Sequence, residues 1–583
     1  MRETINSYLF ALRIVWESAP KWTAYSIVII LLQGVLPILS LLVFKHVIDM
    51  VTTGQASFNE VLMPLIGMGL IQLAIATISS LSQLLSEMQQ QKVRDRMAYI
   101  VQNKALNLDL SYYENPDYHN TYYKAQQEGF TRPVQVVRGI MNLLNNMVSL
   151  VFIAGLLGTM ESWAAVLMVT ISLPNAYVKY KFSNKSFLWR KNRIPIERES
   201  HYLNRLLTLT EYVKEMKLLR VGSVIQSKFR IIRENLYDEK KKLSVQLSIN
   251  TFLAKSVEVG VEFGIYALVI YRSINGTITI GELVIFFQAF QRGKNNMTGM
   301  FSAVVVLHES RLFLSFIQQF LQLESKITEP AIPKKLPSVI QEISFESVSF
   351  QYPQSPREAL TDLSTTFRPG LTAIVGENGS GKSTLVKLLC RLYDPSDGKI
   401  MIDDQPLTDF RPKEYQERIS IVFQDFARYE FSFLENIELG SEGKTDRDLE
   451  QVSKISGLAE VINRYDKGLD QRLGKQFDQG TELSIGQWQK VALTRAFYND
   501  AEIIILDEPT SAIDPLAEKK IFEYLQVLAR TKIVILVTHR LYNLKQANQI
   551  LVMRQGELIE SGSHKELMQQ KGPYHQMFKN QET

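Results

Sequence analysis

The clearest chemistry in this 583-residue chain sits in nine consecutive residues, Gly376-Glu377-Asn378-Gly379-Ser380-Gly381-Lys382-Ser383-Thr384. Their spacing is G-x-x-x-x-G-K-[ST], in which glycines let successive backbone N–H groups close around a phosphate without side-chain collision. A helix starting directly after the turn adds the partial positive charge of its N-terminus. Lys382 is placed to reach the β- and γ-phosphates, and the Ser383 hydroxyl to ligate Mg2+. The flanks agree: residues 371–375 read as a buried strand and 383–392 as the helix that follows it.

Another apolar run, Ile503-Ile504-Ile505-Leu506, ends in the paired carboxylates Asp507 and Glu508. Behind a phosphate-binding turn, Asp507 suits the outer coordination of the metal. Glu508 suits a general base that polarises an attacking water. A further run, 533–537, ends at Thr538-His539. A histidine at the edge of such a strand can touch a γ-phosphate or simply serve the structure.

These groups need a sheet to hold them, and the chain beyond residue 340 supplies short Val/Ile-rich strands alternating with helices. That pattern predicts a parallel α/β sheet covered on both faces. The first ~325 residues are different, with six apolar runs of about the 20 residues a bilayer core requires. They lie near 22–44, 61–84, 139–157, 163–180, 251–274 and 280–306. The fourth holds Pro174, an expected kink, and the sixth reads as the least apolar. So uneven a chain is neither wholly soluble nor wholly intramembrane.

Loop charge sets the orientation. The inner segments 1–21, 87–138 and 179–250 hold 27 Lys and Arg, whereas Lys45 and Arg272 are the only basic residues in the outer ones. Positive residues stay inside, so both termini are expected in the cytoplasm of a multi-pass protein of the cytoplasmic membrane. No cleavable signal is expected ahead of the first span. The long inner connections read as helical continuations of the spans, broken at Ser111-Tyr112-Tyr113-Glu114-Asn115-Pro116-Asp117-Tyr118. Pro330, Pro333 and Pro337 mark a stiff linker. The expected domains are a transmembrane domain over 1–325, a linker over 326–340 and a nucleotide-binding domain over 341–583. With Lys+Arg 65 against Asp+Glu 60 and no basic cluster, nucleic acid is not an expected partner. The lone Cys390 rules out an intrachain disulfide and reads as a buried core thiol.

Residues 341–583 resemble the nucleotide-binding domain of ABC transporters, and the six spans ahead of them resemble the half-size exporter arrangement. Leu483-Ser484-Ile485-Gly486-Gln487 is similar to the family signature, Ser511-Ala512-Ile513-Asp514 to its D-loop, and Gln424 to its Q-loop glutamine. Tyr352 resembles the aromatic residue that stacks on adenine. The fold so implied is an all-α six-helix membrane domain followed by an α/β P-loop ATPase domain with an ABC-type helical subdomain. The resemblance further implies that two copies sandwich two Mg-ATP. Each γ-phosphate would meet Lys382 and His539 of one copy and the signature residues Ser484, Gly486 and Gln487 of the other. Asn378, Gly379, Ser380 and Thr384 would complete the ATP site, and Gln424 would join Ser383 and Asp507 at the metal. Turns near 115–118 and 215–219 would be the coupling helices.

One residue departs from the pattern. Ile485 stands where the family's usual signature has glycine, and a β-branched residue there restricts the backbone. Either the variant is tolerated, favouring a homodimer, or it marks one half of a heterodimer.

Cargo is signalled by ionisable groups inside the spans, which are costly unless they pair or face a cavity. Glu258 and Glu262, four apart, share one face of the fifth span, while Arg292 and Asn295 lie in the sixth. They could line a polar cavity for a peptide or amphiphile, or pair between helices, Glu262 with Arg292 for instance. Leu473-Gly474-Lys475-Gln476-Phe477 and Gly486-Gln487-Trp488-Gln489-Lys490 are similar to bacterial exporters of lantibiotics and related peptides. Alternatives are a flippase for lipid or lipid-linked glycan, a multidrug exporter, and an ATP-gated regulator that transports nothing.

Overall fold

The computed structural model describes every residue except 1, 53–56, 116–121, 123–131, 354, 442–447, 511–512 and 583. The chain divides into two compact units. One comprises 1–108 with 116–324, and the other comprises 109–115 with 325–583.

The first unit is helical. Its long helices are Pro20–Thr52, Phe58–Leu106, Arg132–Met160, Ser162–Thr208, Gly222–Ile274 and Ile280–Leu321. At 1.5 Å per residue the helix Phe58–Leu106 is about 74 Å long, more than twice a bilayer core of about 30 Å. The inner connections are therefore continuations of the apolar helices, and Pro174 and Pro195 lie within one uninterrupted helix, Ser162–Thr208. Four of the six hold an 18-residue window apolar enough to cross a membrane: Pro20–Thr52, Phe58–Leu106, Arg132–Met160 and Ile280–Leu321. The window in Ile280–Leu321 is the least apolar of these four, with a mean hydropathy of 1.5 against 1.8–2.8. Pro174, Asn175 and Lys179 lower the fourth, and Lys255, Glu258 and Glu262 lower the fifth. A core of Leu41, Leu157, Met168, Val269, Phe286 and Phe290 joins five of the six, all except Phe58–Leu106. Leu73, Val151 and Phe252 stand 66–70% exposed. Apolar surface of that extent belongs against lipid or another subunit.

The second unit is α/β. Its strands are β1 (Ile343–Gln351), β2 (Glu358–Phe367), β3 (Gly370–Gly376), β4 (Asp397–Ile402), β5 (Gln405–Pro406), β6 (Ile419–Val422), β7 (Ile503–Asp507), β8 (Ile533–Val537), β9 (Gln549–Arg554) and β10 (Glu557–Gly562). The main sheet runs β10-β9-β3-β8-β7-β6, parallel except at the β9–β10 edge. Both its faces are covered, as successive residues show: Ile503 and Ile505 enter one apolar core, Ile504 and Leu506 the other. The smaller sheet, β2-β1-β4-β5, is antiparallel and lay outside the sequence expectation. Its strands mix apolar with exposed polar positions, so their runs are too broken to read as buried strands.

The helix Lys382–Leu389 closes on Cys390 and Arg391. Cys390 is buried and free, and burial pushes its thiol up to about 12. Arg391 is also buried, and its guanidinium donates to the carbonyls of Leu407 at 2.9 Å and Phe410 at 2.7 Å. Both bonds come from Nη1, which the rigid guanidinium holds in place while Nε reaches Asp394 at 3.4 Å, a geometry the flexible lysine ammonium does not reproduce. Arg391→Lys should therefore cost about 1–3 kcal/mol and lower the midpoint of thermal unfolding, measured by scanning fluorimetry of the full chain. An unchanged midpoint would show that the two carbonyl bonds are dispensable.

Candidate nucleotide site

The site gathers at the C-terminal edge of the main sheet. Parallel pairing aligns β3, β8 and β7 so that Ile374 faces Val537 and Asp507 faces Val537 from the other side. The phosphate-binding turn leaves β3 at Gly376, whose φ is +154°, and a Cβ there would lie 2.3 Å from the Met553 carbonyl oxygen. Gly381 has φ +103°, and a Cβ would meet the Ala359 carbonyl at 2.9 Å. No L side chain fits at either position without moving backbone. Lys382 is buried, and its ammonium donates to the carbonyls of Gly376 at 2.9 Å and Glu377 at 2.8 Å. The Ser380 hydroxyl is buried beside it without a hydrogen-bond partner. A closed turn with a cation and an orphaned donor is chemically an oxyanion cradle.

The acidic pair is held differently at its two members. Asp507 is buried, and burial, then the neighbouring Glu508 charge, push its carboxyl up to about 6. Lys382 and a hydrogen bond from Ser383 act in the opposite direction. Burial in turn lowers the Lys382 ammonium below its usual range, although both carboxylates oppose this. Glu508 adopts φ +49°, rare for a residue with a Cβ and a recurrent feature of functional sites. Its backbone N–H donates to Val537 at 3.0 Å, and its carbonyl accepts from Gln489 Nε2 at 3.2 Å. The carboxylate lies 3.0 Å from His539 Nε2 and accepts from Gln424 Nε2 at 3.2 Å. Three residues read separately from the sequence thus form one cluster.

The remaining expected residues fall as follows. Tyr352 Oη lies 3.1 Å from Thr384 Oγ1, at the base of the phosphate helix. Ser484 caps helix Ile485–Tyr498 in a reciprocal capping box with Gln487. Ile485 is the first residue of that helix and is 60% exposed. Its backbone is helical, so glycine is not needed there for conformation. Asp514 caps helix Pro515–Leu528 by accepting from the Ala517 N–H at 2.9 Å, while Ser511 and Ala512 lie outside the described residues. In the first unit, Glu262 pairs with Lys294 at 2.5 Å and accepts from Tyr266 Oη at 2.8 Å. The expected Glu262–Arg292 pair is not formed, because Arg292 donates to the Pro37 carbonyl at 3.3 Å. Glu258 is buried and 3.9 Å from the same Lys294, whereas Asn295 is exposed. Helices of the same unit form an open-sided cavity of ≈760 Å³ lined by Lys179, Arg190, Arg233 and Lys240, with Glu197, Glu309, Phe182, Trp189 and Tyr237; Glu258, Glu262, Arg292 and Asn295 are not among its walls.

One supporting residue escaped the sequence reading. Glu518 is 1% exposed and accepts from Thr510 Oγ1 at 2.9 Å, Arg540 Nη1 at 2.5 Å and Tyr542 Oη at 2.9 Å. It ties the turn after Glu508 to the residue after His539. In sequence it is one acidic residue on an amphipathic helix, with no local signal of burial.

The turn at the end of β3 lies within residues 360–511, which match the family model described as ABC transporter. The chain belongs to the ABC transporter family and has the build of a half-size exporter. It is 30% identical over 581 residues to the nisin transport ATP-binding protein NisT of Lactococcus lactis subsp. lactis, covering 97% of this chain and 95% of that protein. The subtilin transport ATP-binding protein SpaT of Bacillus subtilis is 29% identical over 92% of this chain and 88% of its own. An ATP-dependent lipid A-core flippase of Aliivibrio fischeri is 27% identical over 82% of this chain and 81% of its own. Among solved structures, a bacterial Atm1-family ABC exporter with ATP bound shares the fold, with a TM-score of 0.86 at 20% identity over 97% of this chain and 98% of that one. The protein is an ATP-driven exporter whose ATP hydrolysis is coupled to transport.

Because Glu518 anchors both flanks of the hydrolytic cluster, Glu518→Ala should destabilise the fold by about 3 kcal/mol and also lower the ATPase rate. Glu518→Gln should recover part of both, read by thermal unfolding and phosphate release. Wild-type values for the alanine variant would refute the anchoring role.

Proposed function

We propose that this chain exports a peptide or similar amphiphile from the cytoplasm, as a homodimer in the cytoplasmic membrane with both termini and the ATPase unit inside. The approach of Glu508, His539 and Gln424 carries the hydrolytic part of this reading. Glu508 accepts the proton of the attacking water, His539 orients the carboxylate and meets the γ-phosphate, and Gln424 holds the other carboxylate oxygen. Lys382 leaves its two carbonyl partners for the phosphates, Ser380 donates its spare hydroxyl, and Tyr352 stacks on the base. Ser383, Gln424 and Asp507 are hard oxygen donors beside the phosphate cradle, a set that fits Mg2+. Bound there, the ion would neutralise charge on the phosphates.

The signature residues Ser484 and Gly486 close on the ATP of the facing copy. ATP can then favour the closed dimer by its differential affinity for the two states, and hydrolysis removes that preference. The exposure and helical backbone of Ile485 support a tolerated variant, and therefore two identical chains. Peptide cargo is supported by the relatives named for nisin and subtilin transport. A cavity with basic, acidic and aromatic walls also suits an amphiphile. A lipid-flipping reading is favoured by one observation, the relative named a lipid A-core flippase.

Steady-state ATPase of the chain alone in lipid nanodiscs should be measurable and should fall by at least about 100-fold in Glu508→Gln. Turnover that survives in Glu508→Gln would remove Glu508 from the mechanism. No turnover in a folded, ATP-binding sample would point to a second, different chain. Replacing Glu258 and Glu262 together by Gln should leave basal ATPase intact and abolish its stimulation by added cargo peptide. Stimulation that persists would exclude the two glutamates from the cargo path.

A further inference from the structure

Glu114 belongs to the second compact unit, although in the chain it closely follows the long helix Phe58–Leu106 of the first. It ends the short helix Leu110–Tyr113, and its carboxylate accepts from Lys387 Nζ at 2.7 Å and Tyr393 Oη at 2.5 Å. Lys387 is on the phosphate helix, five residues after Lys382. Its ammonium sits over the Tyr352 ring, 5.2 Å from the centroid, and lies 5.9 Å from that of Tyr393. Tyr352 also packs edge-on against Phe350 at 4.9 Å and Tyr393 at 5.5 Å, while its hydroxyl reaches Thr384. One carboxylate therefore fixes an ammonium and a phenol that together bracket the Tyr352 ring.

Charge keeps this arrangement in place. Burial acts to lower the Lys387 ammonium, but the hydrogen bond to Glu114, the neighbouring Tyr352 and the Glu114 charge outweigh it and raise the group. Burial and Glu114 likewise push the Tyr393 phenol far up, so it stays a donor. Lys387 thus sits over one face of Tyr352. A cation on the covered face draws π-density from the ring and improves its stacking on an electron-rich purine. Without Glu114 the half-buried ammonium loses its only anionic partner among the described residues, and the ring loses its fixed neighbour.

We propose that Glu114 is a positioning residue for the nucleotide base, acting through Lys387 on the placement of the Tyr352 ring and so on affinity for ATP. The segment entering the unit from the membrane helices would then tune nucleotide binding rather than the chemical step. This inference rests on the reading of Tyr352 as the base-stacking residue.

The test uses the full chain in nanodiscs and the KM and kcat of ATP hydrolysis for Glu114→Gln, Lys387→Met, Tyr352→Leu and the Glu114→Gln/Tyr352→Leu double variant. Glu114→Gln and Lys387→Met should each raise the KM for ATP about fivefold with kcat within about twofold of wild type. The double variant should be little worse than Tyr352→Leu alone. The charge exchange Glu114→Lys with Lys387→Glu should restore much of the affinity, which a general loss of folding would not permit. An unchanged KM in both Glu114→Gln and Lys387→Met, with KM raised in Tyr352→Leu, would overturn the inference and leave the stacking role standing. Fully multiplicative effects in the double variant would also overturn it. An unchanged KM in Tyr352→Leu would overturn the stacking role and the inference together.

Discussion

Parallel pairing of β3, β8 and β7 in register is the constraint on which the site depends. Adjacent parallel strands end at the same edge, so whatever follows them meets there, however far apart in sequence. The phosphate turn follows β3, Asp507 ends β7 with Glu508 directly after it, and His539 comes two residues after β8. Residues from 376 to 539 are thereby brought within hydrogen-bond reach without a dedicated framework. Burial of the strands on both faces makes that alignment expensive to shift, because a slip of one residue would exchange the two cores.

The same edge concentrates unfavourable electrostatics and strain. Two adjacent carboxylates and a buried ammonium lie together there, and burial with the neighbouring charges shifts Asp507 up and Lys382 down. Glu508 sits in left-handed backbone, held there by bonds from its own N–H to Val537 and from Gln489 to its carbonyl. Such a cluster is poorly satisfied by the protein alone, as the orphaned Ser380 hydroxyl and the carbonyl-bound Lys382 indicate. In the proposed mechanism an anion in the cradle would partner both, and ATP would do conformational work through its differential affinity for the two states.

Much of this was legible in the sequence where residues had a single structural solution. All-apolar runs ending in glycine, paired carboxylates or histidine could only be central strands with functional ends, and the six long helices followed from bilayer-length apolar runs with polar extensions. What escaped was set by tertiary geometry. The antiparallel sheet uses interrupted strands, and the burial of Glu518 depends on where its helix packs. Lys294, not Arg292, meets Glu262 because the relative rotation of two helices is invisible in either sequence. Glu114 likewise became informative only once the fold set it against Lys387.

The most direct test of a composite, two-copy ATP site is complementation between inactive variants. Lys382→Ala lacks the phosphate lysine, and Ser484→Arg obstructs the signature, so each homodimer should be without ATPase. A mixed dimer, purified through two different tags, pairs the intact Lys382 of one copy with the intact Ser484 of the other and should regain hydrolysis. A mixed dimer that binds ATP yet stays as inactive as either parent would contradict the composite site.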